Sequence, residues 1–214
     1  MAGSAPRSRA QTPIEELIAA LAVDQLREVV SAAVDNHGDI ERHVRLIAAR
    51  TQDGLSQLRA EVDRGLRSRR FLGYRESGAW ARAARPILTE LETVAEDAPS
   101  AELVELLQRA VGHVVKVIGH ADDSDGTIGD LTRDLLALHA RACDAGVADP
   151  VKLARWMVRF RFADQDLFEV DPVRYAGALG EDGLEAYRQA AAQYTGADPF
   201  GCSLRSRTAR DPRR

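Results

Sequence analysis

Between Ala101 and Phe162 apolar residues return every three or four positions, and that spacing constrains the fold more than any other feature of the chain. Leu103, Leu106, Leu107, Ala110, Val111, Val114, Val115 and Ile118 fall on one side of a helix with 3.6 residues per turn. A stripe of this kind has to be covered by something. Leu131, Leu135, Leu138 and Ala142 make a second stripe, and the segment Val151 to Phe162 a third that is rich in aromatics. The pattern also runs upstream, through Leu26, Val29, Val30, Ala33 and Val34, then Ile40, Val44, Ile47 and Ala48, then Leu55, Leu58, Val62 and Leu66. Strand-like alternation is nearly absent. The expected fold is therefore all-α: stacked antiparallel helical hairpins, as an α-α superhelix or an irregular helical bundle. No clean internal repeat accompanies the pattern.

The punctuation between stripes agrees with it. Thr12-Pro13, Pro99-Ser100, Asp149-Pro150 and Asp171-Pro172 combine a capping side chain or a proline at a place where no amide hydrogen is needed. Asn36-His37-Gly38, Gly146 and Gly180 supply exits. Ser77 is expected to cap a helix running to Ala95, with Pro86 bending or splitting it. Residues 1–12 read as a disordered leader, 13–194 as one helical domain with a candidate subdivision near 97–100, and 195–214 as a disordered basic tail.

A chain of 214 residues is long enough to bury a sizeable core, and its net charge of -4 argues against a surface built wholly for nucleic acid. Lys116 and Lys152 are its only lysines, so arginine carries the positive charge almost alone. The two cysteines, Cys143 and Cys202, make no disulfide framework, which fits a reducing compartment. No stretch approaches about 18 uncharged apolar residues and no signal-peptide pattern opens the chain. The expected location is cytoplasmic, with no membrane partner.

Five constellations bear on chemistry. Asp123 and Asp125, with Gly126 and Ile128, occupy EF-hand-like places for calcium, but Ala121 and Thr132 stand where the first aspartate and the bidentate glutamate belong. The alternative is that these aspartates cap the following helix. His113 and His120, seven apart on one face, and His139 and Cys143, four apart on a facing helix, are candidate zinc ligands, against the reading of satisfied core or boundary groups. Arg67, Arg69, Arg70 and Arg75, interleaved with Phe71, Tyr74 and Trp80, are the candidate nucleic-acid contacts. A second cluster sets Arg155, Arg159 and Arg161 beside Trp156, Phe160 and Phe162. Cys143 with His139 is the one thiol–imidazole pair, and its helical setting offers no evident oxyanion site. No complete catalytic signature and no cofactor motif emerges.

The run Ala121-Asp122-Asp123-Ser124-Asp125-Gly126, followed by Leu138 to Cys143, Asp149 to Ala154 and Tyr175 to Gly180, resembles a family of actinobacterial helical proteins of unknown function often labelled as SWIM zinc-finger-associated. The likeness spans roughly Pro13 to Tyr194 and implies an all-helical fold, which in relatives continues into further helical repeats. It implies no activity. The Cys-x-Cys and Cys-x-His pairs of the SWIM finger itself are absent here. By the same resemblance, the change of character at Thr195 suggests a truncated or frame-shifted end.

These observations lead to a non-enzymatic helical scaffold or protein-interaction domain, binding a protein partner or a second copy of itself. Trp156, Phe160, Phe162, Phe168 and Tyr175 are the candidate contact residues, against the reading that most of them belong to the core. The alternative is a nucleic-acid-binding regulator that uses Arg67, Arg69, Arg70 and Arg75.

Overall fold

The computed structural model describes residues 13–52, 55–163 and 167–195. Among them the regular structure is helical: α1 (Ile14–Ala20), α2 (Val23–Asn36), α3 (Gly38–Gln52), α4 (Leu55–Gly65), α5 (Tyr74–Asp97), α6 (Ala101–Ile118), α7 (Thr127–Ala142), α8 (Pro150–Arg161) and α9 (Ala176–Thr195). The all-α expectation holds. The expected leader lies outside the described residues, as does the tail beyond Thr195.

The chain divides into two compact units between Ala48 and Ala49. In the first, the stripes that define α1 and α2 have little to bury against, and neither helix contains a buried residue. His37, at φ -139° and ψ 101°, leaves helical geometry and ends α2.

The second unit is built around α6. Ser100 Oγ accepts from the Leu103 amide at 3.2 Å and starts the helix. Its stripe is then covered from several sides: Leu103, Leu106, Leu107, Ala110, Val111 and Val114 are fully buried. α7 and α4 pack on α6, and α5 packs on α7. The pairs Arg85–Asp134 and Arg141–Glu92 match ascending positions of α5 and α7, so these two helices run in the same direction.

The start of α5 differs from its expected position. Gly73 is the N-cap residue and the Glu76 carboxylate accepts from its amide at 3.1 Å, so the helix opens at Tyr74. Ser77 lies one turn further in, fully buried, with its hydroxyl donating to the Leu72 carbonyl at 3.3 Å. Pro86 neither splits α5 nor ends it. The loop before α5 is tied down by Leu72, which accepts from the Asp122 amide at 2.8 Å and donates to the His120 carbonyl at 3.3 Å.

After α7 the chain widens into a π-helical turn over Cys143–Val147, and Gly146 turns it with φ 75°. Asp149 then caps α8 by accepting from the Lys152 amide at 2.9 Å, with Pro150 in the first turn. Asp171 repeats the device at a 3-10 turn, Pro172–Tyr175, and Gly180 breaks α9 at φ 54°. α8 and α9 are the most extensively packed helix pair. A Cβ on Gly183 would stand 3.1 Å from Pro150 Cβ, and Phe162 stacks on Tyr194 at the other end. These two helices therefore run parallel.

Candidate functional site

His139 is the deepest titratable group. Its place on α7 puts it on the stripe that faces α6, and it is 0% exposed. Gln108 of α6 directs Nε2 at His139 Nε2, 3.3 Å away. An amide nitrogen only donates, so His139 Nε2 accepts and the ring proton sits on Nδ1. That Nδ1–H donates to Tyr175 Oη at 2.9 Å, and Tyr175 donates in turn to the Leu136 carbonyl at 3.4 Å. Cys143, one turn along α7, places Sγ 3.7 Å from His139 Nε2. The Trp156 ring closes the assembly, its centroid 4.4 Å from that of His139, and Phe160 packs on Trp156 at 5.4 Å.

This is a hydrogen-bonded run of neutral groups. Burial lowers the His139 pKa to about 3. It pushes the Cys143 thiol up to about 12, with the nearby Asp144 charge adding to the effect, and raises the Tyr175 phenol as well. A catalytic thiolate–imidazolium pair needs the opposite directions. The assembly instead joins α6, α7, α8 and the 3-10 turn through groups that are buried or half-buried between them.

His113 stands apart from that assembly. The Asp63 carboxylate of α4 takes a bidentate bond from Arg109 of α6, at 2.6 Å from Nε to Oδ1 and 2.8 Å from Nη2 to Oδ2. His113 Nε2 lies 2.8 Å from the same Oδ1, and Arg67 Nη2 lies 3.3 Å from it. Arg109 above all holds the Asp63 carboxyl well below its usual range, whereas burial lowers the His113 pKa against the pull of Asp63. His120 turns elsewhere and donates to the Ser68 carbonyl at 3.0 Å. The candidate zinc ligands are thus kept apart, and no group of three His, Cys, Asp or Glu among the described residues is placed to hold a metal ion.

In the acidic loop, Asp123 accepts from the Ile128 and Gly129 amides, each at 2.8 Å, one on each oxygen. Asp125 Oδ1 accepts from the Thr127 amide at 3.2 Å and its hydroxyl at 3.0 Å. Asp122 takes the Ser124 hydroxyl. Gly126, at φ 75°, supplies a left-handed turn that a residue with a Cβ rarely adopts. All three aspartates thereby serve the turn into α7 and its first amides.

The arginine loop is partly committed to its own chain. Arg67 is bonded to Asp63, and Arg70 donates to Glu76 at 2.5 Å. Arg69 and Arg75 make no ion pair among the described residues. Phe71 and Tyr74 are exposed, and Arg67, Arg70 and Trp80 line a cavity of about 390 Å³. No family model, curated protein or solved structure matches the chain.

Of the aromatic contact candidates, Phe160, Phe168 and Tyr175 lie in the core and Trp156 is half-buried against His139. Phe162 is the exposed member, stacked on Tyr194 with ring centroids 4.8 Å apart. Their neighbours Arg155 and Arg159 line two grooves, one of about 560 Å³ between α8 and α9 and one of about 380 Å³ beside Glu105 and Gln108. Two residues escaped the reading from sequence, Gln108 and Asp63, because His139 lies 31 residues from the first and Arg109 46 from the second. The strongest concentration of uncovered apolar side chains is also elsewhere: Ile14, Leu17, Ile18, Val23, Val29, Val30, Val44 and Ile47 are all exposed.

Proposed function

We propose that this protein is a non-enzymatic helical interaction scaffold. The observation that carries the reading is a contrast in how the two kinds of side chain are used. Groups with reactive potential in the second unit are engaged within the fold and hold helices together, His139 with Cys143 and Tyr175, and Asp63 with Arg109. The large apolar side chains of α1, α2 and α3 are instead displayed to solvent, where monomeric proteins rarely concentrate them. No described helix is long and apolar enough to cross a membrane, so a bilayer-spanning role does not account for them.

The nucleic-acid alternative has less support, since Arg67 and Arg70 of its proposed contact set already have carboxylate partners. Affinity capture from lysate of the source cell, with and without nuclease, separates the two readings. The scaffold reading expects partners that survive nuclease and are lost when Val23 and Val30 are both replaced by glutamate. Capture that disappears with nuclease and ignores those substitutions would favour the arginine-based reading instead.

A further inference from the structure

The groove of about 560 Å³ between α8 and α9 has two unlike ends. Gly183 packs against Pro150 at the start of α8 and Tyr194 stacks on Phe162 at its end, so the groove runs from Asp182 to Tyr194. Asp182, Ala186, Ala190 and Tyr194 line it as a single row on one face of α9, with steps of about 6 Å along the axis. From α8, Arg155 and Arg159 line the half nearer Tyr194, and neither makes an ion pair among the described residues. Asp182 makes none either, and Glu185 beside it is bonded to Arg188 and Gln189. Charge thus changes sign along the groove, and an occupant of one sign throughout would be repelled at one end.

A segment with the matching order follows α9 directly. Residues 196–214 lie outside the described residues. Gly196 and Pro199 are residue types that end helices. Phe200, Cys202 and Leu204 then alternate with Gly201 and Ser203, so on an extended chain the three apolar side chains share one face at steps of about 7 Å. That step fits the row on α9 when the segment runs back antiparallel to it, setting Phe200 at Tyr194, Cys202 at Ala190 and Leu204 at Ala186. Asp198 then stands at the end that holds Arg159, and Arg205 and Arg207 at the end that holds Asp182 and Glu185. Between these sit only uncharged residues, so no tail arginine has to pass over Arg155. From Asp182 to Tyr194 the helix rises about 18 Å, a length that about six residues of extended chain cover. We propose that this groove is the docking site of the chain's own residues 200–207, folded back along α9. The contact is independent of the scaffold reading. It makes the groove a self-occupied site, which another molecule enters only by displacing the segment.

Cys202 is the probe, because Cys143 is buried. In the full chain carrying Ala190→Cys, mild oxidation at about 1 µM, dilute enough to disfavour pairing between chains, should join the new thiol to Cys202 within one chain. The product is a faster band on a non-reducing gel. Ala192→Cys should give little of it, although that position is exposed, lies nearer the start of the segment and differs only in the face of α9 it occupies. Without any new cysteine, dithionitrobenzoate should modify Cys202 about tenfold more slowly than in a chain carrying Phe200→Ser and Leu204→Ser, as for a segment docked about nine-tenths of the time. Arg205→Glu with Arg207→Glu should also speed the reaction. These four positions lie beyond α9, so their replacement leaves the helical core intact. Equal thiol rates in the wild type and the serine variant overturn the proposal. A cross-link that forms as well from Ala192→Cys, or only between chains, overturns it too.

Discussion

Replacing His139 by glutamine should weaken the fold at neutral pH and lose much of that disadvantage as the solution is acidified. The ring is fully buried and neutral, with a folded pKa of about 3, whereas in the unfolded chain it titrates near 6.5. Between those values the unfolded state binds a proton that the folded state refuses, so stability drops as pH is lowered through that window. The slope approaches about 1.4 kcal/mol per pH unit, and from about pH 7 to about pH 5 the wild type should lose about 2 kcal/mol through this residue alone. Glutamine does not titrate, so the difference in unfolding free energy between His139→Gln and the wild type should shrink by that amount. Urea unfolding followed by Trp156 emission reads it directly, because that ring lies 4.4 Å from the imidazole. His113 is lowered in the same direction in both proteins and cancels in the difference. A difference that stays constant over the range would refute the argument, since it would mean that the ring takes up protons in the folded state as it does in the unfolded one.

Asp123→Ala removes the acceptor of two α7 amides and should cost about 1–2 kcal/mol in urea unfolding, more than Asp122→Ala in the same loop. Asp63→Asn breaks the bidentate bond from Arg109 and should cost about 1–3 kcal/mol at neutral pH. Because the folded Asp63 pKa is lowered, its contribution is complete above the unfolded value of 3.8 and is lost as pH falls below it, so the deficit of Asp63→Asn should narrow only in strong acid.

Much of the fold was legible because helix ends are written locally. Ser100, Asp149-Pro150 and Asp171-Pro172 all cap as their residue types dictate, and Gly146 and Gly180 leave the helical region where a chain reversal or break was expected. Ser77 misled because a second cap lay just upstream. Gly73 with Glu76 three residues on closes the amides first, and burial then turns the serine hydroxyl onto Leu72. The parallel run of α8 with α9 was hidden for a different reason: stripe spacing fixes that a helix is covered, and says nothing about the direction of its neighbour. The candidate sites suffered the same limit. His139, Tyr175 and Gln108 come from three separate elements, so no spacing along the chain announces that they share one line of hydrogen bonds. Residue type left Phe160, Phe168 and Tyr175 open between contact surface and core, and their positions on covered faces assign them to the core.

Amide hydrogen exchange across residues 23–47 tests the central claim most directly, namely that the apolar faces of α2 and α3 are made to be covered by another molecule. Helices of this length without a covering partner open readily, so their amides should exchange fast in dilute protein and slow markedly as concentration rises, while α6 remains protected throughout. Protection of α2 and α3 that is already strong in dilute protein and unchanged at high concentration would contradict the account.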